Sequence, residues 1–323
     1  VRRREWRALP MSLITSLTKR FPRREAAETS RPSARTFVEP LVYLLPFLIG
    51  LAIFTLFPIV NVFLLSFKEN YRMLSGEFSQ YGIGNFAFIL KDPYFINSLK
   101  NTAIYVFTVV PVSTVLSIFF AYLLNKKLRL NPLFQTAFFL PMVTSVIAVG
   151  LAWKWIFNFD YGVFNFFLSL LKIDPINWLN NPAYNLWTII IYGIWSYLPF
   201  TIILLLSGLQ NIDPLYATAA RVDGASKSKI FFRITLPLLA PTVGLVLIVN
   251  IISASKVFNE LFPLFNGKPG AAYNLYTVVY YIYEVFYVKW RLGQAGAAAV
   301  ILFLIVLIFT MVQLYVQRNW KHY

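Results

Sequence analysis

Cysteine is absent from this 323-residue chain, which excludes a disulfide framework and any thiolate metal site. Histidine occurs once, as His322, so a histidine-ligated metal site and a histidine-based catalytic triad are excluded too. Charge is scarce. Charged residues make up 13% of the chain against 58% hydrophobic, about half the charged fraction of an ordinary soluble domain. The thirteen carboxylates are scattered, most of them in loops, and none pairs convincingly with a nucleophile or base. There is no GxxxxGK[ST] phosphate loop, so the chain is expected to bind no cofactor of its own and not to be an enzyme.

What is present in abundance is long apolar sequence. Runs of about 20 continuously apolar residues point to helices that cross a bilayer. They do not alternate, which argues against a β-barrel. Six spans are expected, at about 41–67, 102–124, 132–157, 185–209, 236–258 and 292–315. Pro46 and Pro58 are expected to kink the first span. The loops at 68–98 and 158–184 each read as carrying a short amphipathic helix. The two halves show no hydropathy symmetry, which argues mildly against an inverted-repeat secondary transporter.

The charge that exists is placed unevenly. The net charge is +16, and 19 of the 29 Lys and Arg lie in 1–40, 125–131, 211–240 and the tail after 316. That excess marks these segments as cytoplasmic and explains the basic balance by topology, without nucleic acid. The expected fold is therefore an all-α integral membrane protein, six transmembrane helices with both termini cytoplasmic. Residues 1–40 form a basic cytoplasmic tail ahead of a transmembrane domain at 41–323.

The stretch 211–241, NIDPLYATAARVDGASKSKIFFRITLPLLAP, is polar, basic and set between two apolar spans. It reads as an amphipathic helix with one side kept small by alanines; the plainer reading is a basic connector. Asp223-Gly224 by itself reads as a turn. At the outer end of the fifth span, Lys256 and Glu260 are spaced to share a helix face, within a polar strip that includes Asn250, Ser253, Ser255 and Asn259. Charges cost about 2.5–3.5 kcal/mol at a span centre, so these residues read either as a polar solute path or as groups already in the headgroup zone. Trp195 and Tyr197 are among the aromatics that could stack on sugar rings. Lys154, between Trp153 and Trp155, is expected to snorkel outward.

The stretch resembles the EAA loop of permease subunits in binding-protein-dependent ABC importers. Ala219, Ala220, Asp223, Gly224 and Ala225 match its Ala-Ala and Asp-Gly-Ala positions, followed by Phe231, Ile234, Thr235, Leu236, Pro237 and Leu238. Thr218 stands where glutamate is usual. The pieces GNFAFILKDPYFINSLKNT, AFFLPMVTSVIAVGLAWKWIF, KVFNELFPLFNGKPG and GQAGAAA resemble the carbohydrate branch, specifically the first of two paired permeases of maltose or glycerol-phosphate type. An alginate oligosaccharide importer is one such candidate.

The likeness covers about residue 40 to the end. It implies a subunit that moves carbohydrate across the bacterial inner membrane by alternating access. Implied partners are a second homologous permease, two cytoplasmic ATPase subunits carrying ATP and Mg, and a periplasmic solute-binding protein. Thr218, Ala219, Ala220, Arg221, Asp223, Gly224 and Ala225 would make the ATPase contact. A stand-alone secondary transporter or channel for a polar solute is the alternative.

Overall fold

The computed structural model describes residues 34–126 and 131–319. Most of the basic tail expected at 1–40 lies outside them, as does the centre of the 125–131 connector. Contacts divide the chain into two compact units, one ending at Ile59 and one starting at Val60.

The first unit contains α1 (Ala34–Leu51) and a π-helical turn at Ala52–Leu56, which leads into α2 (Phe57–Ser66). Pro58 has no N–H to offer the carbonyl four residues back, and the chain widens to i→i−5 bonding just before it. The amide of Phe57 accordingly donates to the carbonyl of Ala52.

In the second unit, β1 (Lys68–Glu69) and β2 (Gln80–Tyr81) form an antiparallel hairpin, with Lys68 opposite Tyr81. Short α3 (Gly84–Ile89) comes after it, then α4 (Pro93–Leu124). Next come α5 (Asn131–Val143), α6 (Val146–Ile156), α7 (Val163–Leu170) and α8 (Pro182–Gln210). After α9 (Pro214–Val222), α10 (Lys227–Ile230) runs through a second π turn, Phe231–Thr235, into α11 (Leu236–Ala254). The end of the chain holds α12 (Leu261–Phe265), α13 (Val278–Tyr283) and α14 (Leu292–Asn319).

Three helices start on an Asx-Pro pair. Asp92, Asn181 and Asp213 each accept the amide two residues on, at 2.9, 3.0 and 2.8 Å, with Pro93, Pro182 and Pro214 next in sequence. The side-chain oxygen satisfies a free amide and the proline needs none.

Among the described residues, five helices are long and apolar enough to cross a membrane, or six if the bent pair α5–α6 counts as one span. The third span expected at about 132–157 consists of two helices meeting at 105°. Pro141 lacks a donor, the Thr144 hydroxyl donates back to the Leu140 carbonyl at 2.9 Å, and Ser145 turns extended to start α6.

Two cores hold the second unit. One gathers Phe95, Tyr105, Ile189, Leu261, Leu264 and Tyr281; the other gathers Ala121, Leu124, Ile202, Leu205, Leu209 and Leu239. Long α4 packs along α8, and α11 lies against both.

Candidate coupling and substrate sites

The 211–241 stretch is not one helix. α9 ends at Val222, where Gly224 takes φ +75°, a left-handed conformation costly for any residue with a Cβ. The amides of Asp223, Gly224 and Ala225 donate to the carbonyls of Ala219, Arg221 and Ala220 at 3.1, 3.0 and 2.9 Å, closing the helix end. Open space surrounds the position a Gly224 Cβ would take. Glycine is therefore required here by the turn and not by close approach of another element.

Ser226 caps α10: its Oγ accepts the Lys229 amide at 3.3 Å. Buried Ile230 and the ring of Phe231, 4.8 Å from Tyr122, fasten the segment to the end of α4. From Lys227 onward the basic stretch is already the fourth of the five long helices, Lys227–Ala254.

α9 itself is mostly exposed, touching the π turn at Phe231–Thr235. Leu215, Tyr216 and Val222 are 70%, 57% and 84% exposed. Leu215, Thr218, Ala219 and Val222 keep the i, i+3, i+4, i+7 pattern of one helix face, and Thr218 and Ala219 are exposed as well. The Thr218 hydroxyl donates to the Pro214 carbonyl at 3.0 Å. It is used within its own helix and offers an outside partner a methyl-sided surface. Arg221 and Asp223 are also exposed, while Ala220 and Ala225 are half-buried. Sequence reasoning placed the alanines and the turn but missed Leu215, Tyr216 and Val222 as outward groups. The signal was present: apolar residues at helical spacing that turn away from both cores.

The second constellation surrounds Glu260. α11 stops at Ala254, and residues 255–260 are turn and coil. Lys256 and Glu260 therefore do not share a helix face, which corrects that expectation. Among the described residues the ion pair is Lys289–Glu284, at 3.0 Å. Lys256 and Asn259 are exposed, and Ser253 is half-buried. Asn250 is buried, its Nδ2 donating to Thr201 Oγ1 at 2.9 Å.

Glu260 lies deep in protein although its side chain still reaches solvent. Burial pushes its carboxyl above the usual carboxylate range, partly opposed by the Phe258 amide, which donates to Oε2 at 3.1 Å. Tyr105 and Tyr192 belong to the same core cluster as Val257 and Leu261, which flank Glu260 in sequence, and Tyr197 packs against that cluster. Trp195 is one ring further, 6.2 Å from Tyr192 and 5.2 Å from Trp153. The Tyr105 hydroxyl is buried with no hydrogen-bond partner among the described residues. It fits there because residue 193 is glycine: a Cβ would collide with that hydroxyl. The structure thus brings Glu260, Tyr197 and, at its margin, Trp195 together, and adds Tyr105 and Tyr192. A carboxyl, three phenols and an indole can hydrogen-bond hydroxyls and stack on the apolar face of a ring. Lys154 donates to Asn266 Oδ1 at 2.6 Å in an exposed hydrogen bond.

Residues 113–322 match the family described as the inner membrane component of binding-protein-dependent transport systems. The chain belongs to this family. It is 32% identical to the arabinooligosaccharides transport system permease protein AraP of Bacillus subtilis, over 87% of this chain and 89% of that one. It is likewise 32% identical to the trehalose/maltose transport system permease protein MalF of Thermococcus litoralis, over 85% and 92%. In fold it is similar to a chain of a bacterial alginate ABC transporter solved with an alginate pentasaccharide-bound periplasmic protein. That match has a TM-score of 0.77 and 24% identity over 89% and 96% of the two chains. The permease is thus a multi-pass membrane protein.

Proposed function

We propose that this permease is one of two membrane subunits of an ATP-driven importer that carries carbohydrate across the bacterial inner membrane. The observation that carries the reading is the bare face of α9, an apolar surface on a short helix held off the bundle by the Gly224 turn. A soluble domain exposes such a surface at a cost, and a partner that covers it recovers the apolar burial. The partner is a cytoplasmic ATPase holding ATP and Mg. Each permease offers one such helix to one ATPase, so two ATPases serve the pair. The basic charge around α9 supports a cytoplasmic position for it and for both chain termini.

Closing of the ATPases on ATP would draw the two α9 helices together. Because the Gly224 turn leads from α9 directly into α10 and α11, the movement would pass along the fourth long helix to the coil at 255–260. There Glu260, Tyr105, Tyr192, Tyr197 and Trp195 would hold sugar hydroxyls and ring faces, and the path would change the side to which it opens. A periplasmic binding protein would deliver the sugar. The relatives' sugar cargoes support the substrate class.

Co-expression with the neighbouring permease, ATPase and binding-protein genes tests the assembly. A stable complex that hydrolyses ATP faster with sugar-loaded binding protein is expected. A chain that purifies alone in folded form and recruits no ATPase contradicts it.

A further inference from the structure

A cavity of about 1020 Å³ opens between the hairpin loop, α3 and the start of α14, and none of the Glu260 constellation lines it. Its walls include Arg72, Glu77, Phe88, Trp290, Arg291 and Gln294. Arg72, Glu77, Trp290 and Arg291 are exposed, and none of their side chains makes a hydrogen bond or ion pair within the described protein. Two guanidinium forks, a carboxylate, an amide and an indole therefore converge on one concave space without pairing with each other.

Trp290 is the telling residue. It takes φ +54°, a left-handed conformation that glycine or asparagine adopts cheaply and a bulky residue does not. The position is a helix-end turn: the Lys289 amide donates to the Glu284 carbonyl at 2.9 Å, and the Arg291 amide to the Val285 carbonyl at 3.0 Å. Glycine would close that turn with less strain. The indole is nevertheless 61% exposed and stacks on no other ring among the described residues. Strain at an exposed aromatic, beside polar groups left without partners, marks a ligand site better than a packing site.

We infer that this cavity is a second carbohydrate subsite, distinct from the Glu260 constellation, which receives one sugar unit before it enters the path. The Trp290 face would stack on the apolar side of a pyranose ring. Glu77 and Gln294 would accept or donate to its hydroxyls, and the Arg72 and Arg291 forks would each span two neighbouring oxygens. The mixed signs fit a polyhydroxyl ligand better than a phosphate headgroup, which Glu77 would repel. This inference rests on the carbohydrate reading.

The test is equilibrium binding of a labelled neutral tetrasaccharide and a labelled uronate tetrasaccharide to the purified nucleotide-free complex. Trp290→Gly is expected to weaken binding of one or both at one class of site by about tenfold or more, while raising or preserving the thermal midpoint because the turn is relieved. The double variant Arg72→Gln/Arg291→Gln is expected to weaken the same class, and Glu260→Gln to leave it intact. Binding curves unchanged in both cavity variants would overturn the subsite while leaving the carbohydrate reading standing. A co-purified anionic phospholipid released by the arginine variant, with saccharide binding untouched, would overturn it too. If the parent complex binds neither saccharide, both inferences fall.

Discussion

Asn250 on α11 donates its side-chain amide to Thr201 on α8 over 2.9 Å, with both residues buried. The bond joins the helix continuous with the α10 segment to the helix that carries Tyr192 and Tyr197. Polar ties between membrane helices are worth about 0.6 kcal/mol and seldom above about 1.7. Asn250→Ala should therefore lower thermal stability by about that amount, read as a reduced unfolding midpoint in detergent. Asn250→Ala with Thr201→Val should cost less than the two single changes added, because no orphaned hydroxyl remains.

At Gly224 the cost of substitution is conformational, since open space surrounds the position. A residue with a Cβ loses about 1–2 kcal/mol in the left-handed region. Sugar-stimulated ATP hydrolysis is expected to fall in the order Gly, Asn, Ala, Val. Equal loss for Asn and Val would point to crowding and not to the turn.

The exposed face of α9 is expected to bind through its apolar side chains. Val222→Asp or Leu215→Asp should leave the fold intact, because neither residue packs in a core. Loss of a central apolar contact costs about 2 kcal/mol or more in an interface, so ATPase retention on a size-exclusion column should fall by about thirtyfold in affinity. Thr218→Ala should change little, since its hydroxyl serves its own helix.

Glu260 gives the fold a pH dependence of definite sign. Its carboxyl is raised above the ordinary 4.5, burial being the main cause. The folded chain thus holds the proton more tightly than the unfolded one. Its stabilising contribution is complete below the unfolded value and is lost as pH rises through the folded one. The unfolding midpoint should fall from about pH 4.5 upward, and Glu260→Gln should flatten that slope.

The apolar runs made the spans legible, because twenty consecutive apolar residues have few other uses. Their ends were less so. The Asx-Pro pair Asp92-Pro93 extends the second span upstream of residue 102, and only its capping geometry marks it. The 105° break between α5 and α6 depends on Pro141 acting with Thr144 and Ser145, and proline alone often bends a membrane helix without breaking it. The turn after α9 could be read from Ala219 to Ala225, because the Asp-Gly pair is a local signature. The Glu260 neighbourhood could not. Tyr105 and Gly193 meet across two helices, and neither residue type announces the other. Lys256 and Glu260 misled because a spacing of four counts only while the helix lasts.

The central claim is that transport by this permease is powered through a partner ATPase. Uptake of labelled oligosaccharide into liposomes tests it directly, comparing the permease alone with the permease plus its second permease, ATPase and binding protein, with and without ATP. Uptake that requires every component and ATP, and that Val222→Asp abolishes, is the predicted result. Uptake by this chain alone down a sugar or proton gradient would contradict it.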